Sequence, residues 1–116
     1  MMKKYLLMSA LLVSQYAMAA QLSLAEFKQQ TNLQYADLEL KQAHLNTALD
    51  QKKHPQILIE KACAYSTGLK RLKAFAQANR HLDYAKEEFT FIGQLDENFN
   101  QSLEELGTSY NKSCIQ

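Results

Sequence analysis

FAQANRHLDYAKEEFTFIGQLDENFNQSLEELGTSY, residues 75–110, is the stretch whose reading decides the fold. Counted in sevens, one set of positions holds Phe75, Leu82, Phe89, Asp96, Leu103 and Tyr110, and the set three residues later holds Ala78, Ala85, Ile92, Phe99 and Leu106. Ten of these eleven positions are apolar, Asp96 being the exception. A 3-4 spacing of that kind puts one apolar stripe on helical structure, and other helices have to cover it. The expectation is an all-α fold, a small antiparallel three-helix bundle.

Composition agrees. The chain has 116 residues with three Gly, one Pro and no Trp. That is enough for one domain, and it favours helix throughout. Residues 1–19 read as a secretory signal peptide. Lys3 and Lys4 give a positive start, Tyr5 to Val13 is a nearly unbroken apolar run, and Ala17-Met18-Ala19 supplies small residues for cleavage after Ala19. The run is short for a bilayer span. Residues 20–116 are then a single helical domain, exported to the periplasm or beyond. Without Lys3 and Lys4 they carry 11 basic and 12 acidic residues. Such a balance attracts neither nucleic acid nor an anionic membrane, and stable membrane insertion after cleavage is not expected.

Two cysteines remain, Cys63 and Cys114. In an oxidising compartment an even count reads as a disulfide. Closing a loop of that length stabilises by roughly 4 kcal/mol at most.

Taken in order, Ser23-Leu24-Ala25-Glu26 reads as a capping box, with Leu22 and Phe27 placed for a hydrophobic staple. The first helix carries Leu24, Phe27, Tyr35, Leu38, Leu45 and Leu49 along one face. Leu33, Ala36, Leu40 and Ala43 widen that face, and the width predicts contact with two neighbours. His54-Pro55 makes the next corner, since Pro disfavours helix for the residue before it and suits the first turn after it. The second helix places Leu58, Ala62, Tyr65, Leu69 and Leu72 on one stripe, with Gly68 read as a close-packing position. Its end is either at Asn79 or near Gly93. From Cys63 to Gly93 a helix rises about 45 Å, and the return through Gly107 to an extended tail covers a similar length. The turn near Gly93 is therefore preferred, with helices near 24–53, 56–91 and 95–113. A turn at Asn79 closes the disulfide only if the tail doubles back. The basic run Lys61, Lys70, Arg71, Lys73 and Arg80 beside the acidic stretch 83–105 supports antiparallel pairing of this half.

Chemistry is sparse. His44, His54 and His81 have no second ligand at metal-binding spacing. The paired carboxylates Glu87-Glu88, Asp96-Glu97 and Glu104-Glu105 point apart on a helix and read as a solvated face. Asp96 has four readings: an N-cap after a Gly93 turn, a register-setting core residue, a partner for Arg71, Lys73 or Arg80, or a ligand contact. No catalytic residue, metal site or cofactor is expected. Tyr65, Tyr84 and Phe91, with Arg71 and Arg80 nearby, resemble the aromatic and arginine anchors that protein interfaces concentrate. The expected function is non-enzymatic protein binding in the cell envelope, of the inhibitor, immunity or chaperone type. The monomer is preferred. The alternative is a self-associating, coiled-coil-like homodimer that uses the 75–110 stripe.

Overall fold

The computed structural model describes residues 22–115. The expected signal peptide and its cleavage site lie outside them. Among the described residues three long helices follow one another, α1 (Leu24–Asp50), α2 (Pro55–Ala78) and α3 (Asp83–Glu105), and a single turn of helix, α4 (Tyr110–Ser113), comes after them. Three core layers show the antiparallel order. Phe27, Ala76 and Ala85 meet where α1 and α3 begin and α2 ends. Leu38, Leu69, Leu72 and Ile92 form the middle. Leu45, Ala62 and Leu103 meet where α1 and α3 end and α2 begins. Phe75 joins the first layer to the middle, and Phe99 joins the middle to the last.

The local signals act as the chemistry requires. Ser23 Oγ accepts from the Glu26 amide at 3.2 Å, and the Glu26 carboxylate accepts from the Ser23 amide at 3.3 Å. Leu22 packs into the layer that holds Phe27, completing the staple. α1 closes with the Lys53 amide on the Ala48 carbonyl and the Lys52 amide on the Leu49 carbonyl. This is a Schellman closure. It puts Lys52 at φ 52°, where glycine is the usual residue. Lys52→Gly is therefore expected to stabilise the fold by about 1 kcal/mol, read as a higher urea midpoint. At the next corner His54 Nδ1 accepts from the Gln56 amide at 3.2 Å, and Pro55 is the first residue of α2. Gly68 lets α1 close on α2, since a Cβ there would lie 2.7 Å from Leu38 Cδ2.

The turn between α2 and α3 lies at residues 79–82, not near Gly93. The preferred boundaries 56–91 and 95–113 are thereby corrected. The cause is Asn79, which is fully buried. Its side-chain amide donates to the Phe75 carbonyl at 2.9 Å and accepts from the Leu22 amide at 3.0 Å. His81 Nε2 donates to the Leu22 carbonyl at 3.0 Å. The start of α1 thus fixes the turn across the bundle. Gly93 sits inside α3, where an added Cβ would make only ordinary contact with Lys73 Cε. The Phe75–Tyr110 periodicity ran straight through the turn, so its first members belong to α2 and most of the rest to α3.

With the turn at Asn79, Cys63 to the end of α2 rises about 22 Å while α3 rises about 33 Å, so α3 overshoots. The tail doubles back to compensate. Gly107, at φ 88°, turns the chain, with the Thr108 amide on the Leu103 carbonyl and the Gly107 amide on the Glu104 carbonyl. Ser109 caps α4 through the Lys112 amide, and Cys114 reaches Cys63 with their Cα atoms 5.4 Å apart.

Candidate functional site

Of the five expected contact residues, two lie partly buried in core layers and three are exposed. Tyr65 lies half-buried in the middle layer, edge-on to Phe99 with ring centroids 4.9 Å apart. Tyr84 lies half-buried in the first layer, edge-on to Phe27 at 6.0 Å, with the Lys28 ammonium 4.9 Å from its ring centre. Being in different layers keeps the two tyrosines apart. Arg71, Arg80 and Phe91 are exposed, on α2, in the turn and on α3.

Asp96 caps nothing. It is buried in the interior of α3, and its two carboxylate oxygens accept from Lys70 Nζ at 3.0 and 3.2 Å. The partner is therefore Lys70, not Arg71, Lys73 or Arg80. The same ammonium lies 4.5 Å from the centre of the Tyr110 ring. The Tyr110 hydroxyl bonds Thr67 Oγ1 at 3.1 Å, and its amide donates to Asn100 Oδ1 at 3.3 Å. This cluster holds α4 against α2 and α3.

A second polar cluster ties α1 to α3. The Tyr35 hydroxyl donates to the Glu88 carboxylate. Burial, that hydrogen bond and the Glu88 charge hold the Tyr35 phenol well above its ordinary range. Burial and Glu88 push Tyr84 up as well, and burial alone pushes up Tyr65. The folded chain thus holds these phenolic protons more tightly than the unfolded chain does. Stability is expected to stay flat up to the ordinary tyrosine value of 10.0 and to fall as pH rises above it, where the unfolded state loses these protons first. Urea midpoints measured on either side of that value check this, and Tyr35→Phe should reduce the alkaline loss.

Two features stand out as sites. The first is the outward side of α1. Leu33 (62 % exposed) and Leu40 (55 % exposed), with Ala36 and Ala43, form a stripe that faces water. It lies half a turn from Phe27, Leu38 and Leu45, which face the core. The two neighbours expected for α1 are both there, but α2 and α3 are reached from the same inward side, so no other described element covers the second stripe. Glu26, Asp37, Glu39 and Asp50 flank the stripe and are exposed. Of the nearby cations, Lys28 lies over Tyr84, and Lys41 pairs with Asp37 at 2.7 Å. The sequence held the signal, since two sets of apolar positions half a turn apart cannot both face one core.

The second is a cleft of about 440 Å³ at the last core layer, walled by α1, α2, α3 and the tail. Both disulfide cysteines line it. Its leucines were counted as core in the sequence, where nothing local shows that no described element closes that end.

Among the described residues, no group of three or more His, Cys, Asp or Glu is placed to hold a metal ion, and no helix is long and apolar enough to cross a membrane. Comparison with known proteins finds no family model, no curated protein and no solved structure that matches this chain.

Proposed function

We propose that this is a small exported, non-enzymatic protein that works by binding another protein, in the manner of an envelope inhibitor, immunity factor or chaperone. Export is supported by the Lys3-Lys4 start, the apolar run to Val13 and Ala17-Met18-Ala19. The Cys63–Cys114 bond fits an oxidising compartment.

The observation that carries the binding reading is the outward stripe of α1. Leu33, Ala36, Leu40 and Ala43 have the spacing with which one helix lies along another. The margin of the stripe sets the partner's chemistry. Laid antiparallel on a second copy about residue 38, Glu39 meets Glu39 near the axis, while Asp37 is already paired with Lys41. Opposed like charges disfavour that pairing. The partner that fits is an amphipathic helix with basic margins. Exposed Arg71, Arg80 and Phe91 offer further contacts to a larger partner.

The second reading is self-association. The 75–110 stripe that suggested it is mostly folded into this chain's own core, so among the described residues a copy would have to use the acidic α1 face or the apolar rim at the disulfide end.

Leu33→Ser/Leu40→Ser tests both readings, because these positions are exposed and the fold should persist. The wild-type chain should be a monomer, and cross-linking in the envelope should give one adduct that the double variant loses and that weakens as salt rises. Equal adducts from both proteins would sink the reading. A wild-type dimer that the double variant makes monomeric would establish self-association instead.

A further inference from the structure

The cleft at the disulfide end lies apart from the α1 stripe, and the proposed function does not use it. Its volume of about 440 Å³ falls within the roughly 300–1,000 Å³ of pockets that take small ligands. Leu45 and Leu49 wall it from α1, Leu58 and Ile59 from α2, Leu103 from α3 and Leu106 from the turn beyond. No charged side chain is among the described residues that line it. Three lining residues carry hydroxyls, and each hydroxyl is engaged. Ser102 Oγ donates to the Asn98 carbonyl at 3.2 Å, and those of Thr108 and Ser113 bond each other. The one lining ring, Phe99, is held edge-on by Tyr65.

We propose that this cleft binds a single uncharged, saturated hydrocarbon chain, the tail of one amphiphile whose polar head stays in water. The described walls offer no charge and no unengaged hydroxyl for a head group, and a single aromatic ring, Phe99, which already meets Tyr65 edge-on. They offer branched aliphatic surface, which recognises a flexible chain by burial alone. The disulfide holds one wall in place, so little ordering is needed on binding. In the free protein the rim stays in contact with water at Leu106 (81 % exposed), Leu49 (51 %) and Ile59 (42 %). Apolar surface left open in this way marks a site that something covers.

The test is displacement of the neutral dye N-phenylnaphthylamine by straight-chain alcohols from octanol to dodecanol. One dye should bind per chain, and each added methylene should tighten the alcohol about fourfold until the cleft is filled. Ser102→Trp sets an indole into the cleft from an exposed position and leaves no hole in the core. It should weaken binding roughly tenfold or more with the urea midpoint unchanged. Leu33→Ser/Leu40→Ser should bind alcohols like the wild type, so failure here and failure of the partner reading are separate results. Displacement that ignores chain length, or binding unaffected by Ser102→Trp, would overturn the proposal. So would a dimer that stops binding dye, which would assign the cleft to a second copy. Adhesion to phosphatidylcholine vesicles without binding of free alcohol would assign it to a bilayer surface and overturn the proposal equally.

Discussion

Phe27→Ala is expected to cost about 3–5 kcal/mol of unfolding free energy. Phe27 has no exposed surface and is the largest fully buried side chain of the first core layer. Its ring stacks on Phe75 at 5.1 Å with the planes 5° apart, and it meets Tyr84 edge-on at 6.0 Å. Such ring pairs add about 0.5–1.5 kcal/mol each beyond burial, so truncation loses both and leaves a cavity. Leu22, Ala76 and Ala85 surround it, and the two small residues cannot move in to fill the space. Leu33→Ala, six residues along the same helix but facing water, should change stability by less than about 0.5 kcal/mol. Urea titration followed by circular dichroism compares the two directly. Equal effects would mean that α1 is rotated from the orientation described.

Replacing Cys63 and Cys114 together by serine is expected to lower stability by about 3–4 kcal/mol. The two residues are 51 apart in sequence, so the bond removes much chain entropy from the unfolded state. For a chain of this size the loss corresponds to a fall of roughly 15–25 °C in melting temperature. A folded domain has about 5–15 kcal/mol in all, so the variant is left marginal. α4 should not come free at once. Tyr110 keeps its bond to Thr67, its place under Lys70 and its bond to Asn100. A loss below about 1 kcal/mol would show that the unfolded chain is already compact around the 63–114 segment.

What the sequence made legible was local chemistry. The Ser23–Glu26 box, the Leu22–Phe27 staple and the His54-Pro55 corner each depend on residues within a few positions of one another. The Cys63–Cys114 pairing needed only a count and a compartment. Gly68 and its close approach were readable because glycine inside a helix calls for a packing reason. The α2–α3 turn was legible only as one of two candidates, because what decides for Asn79 is its partner Leu22, 57 residues away. Periodicity gave no warning either. The short turn at 79–82 preserves the sevenfold count while the chain reverses direction. Asp96 had the same difficulty, its partner Lys70 lying 26 residues away on another helix. The two candidate surfaces were legible as apolar residues but not as uncovered ones, since exposure depends on where neighbouring helices lie and end.

The disulfide closes a covalent ring that contains most of α2, all of α3 and the tail, and leaves α1 outside. The ring keeps its two helices near each other even when packing fails, whereas α1 is retained only by side-chain contacts and the hydrogen bonds at its start. The molecule should therefore open in two steps of unequal depth. Amide protons in α1 should exchange with solvent through detachment of that helix alone, and those in α2 and α3 near Ile92 only through complete unfolding. Reduction of the bond should bring the two sets of exchange rates together.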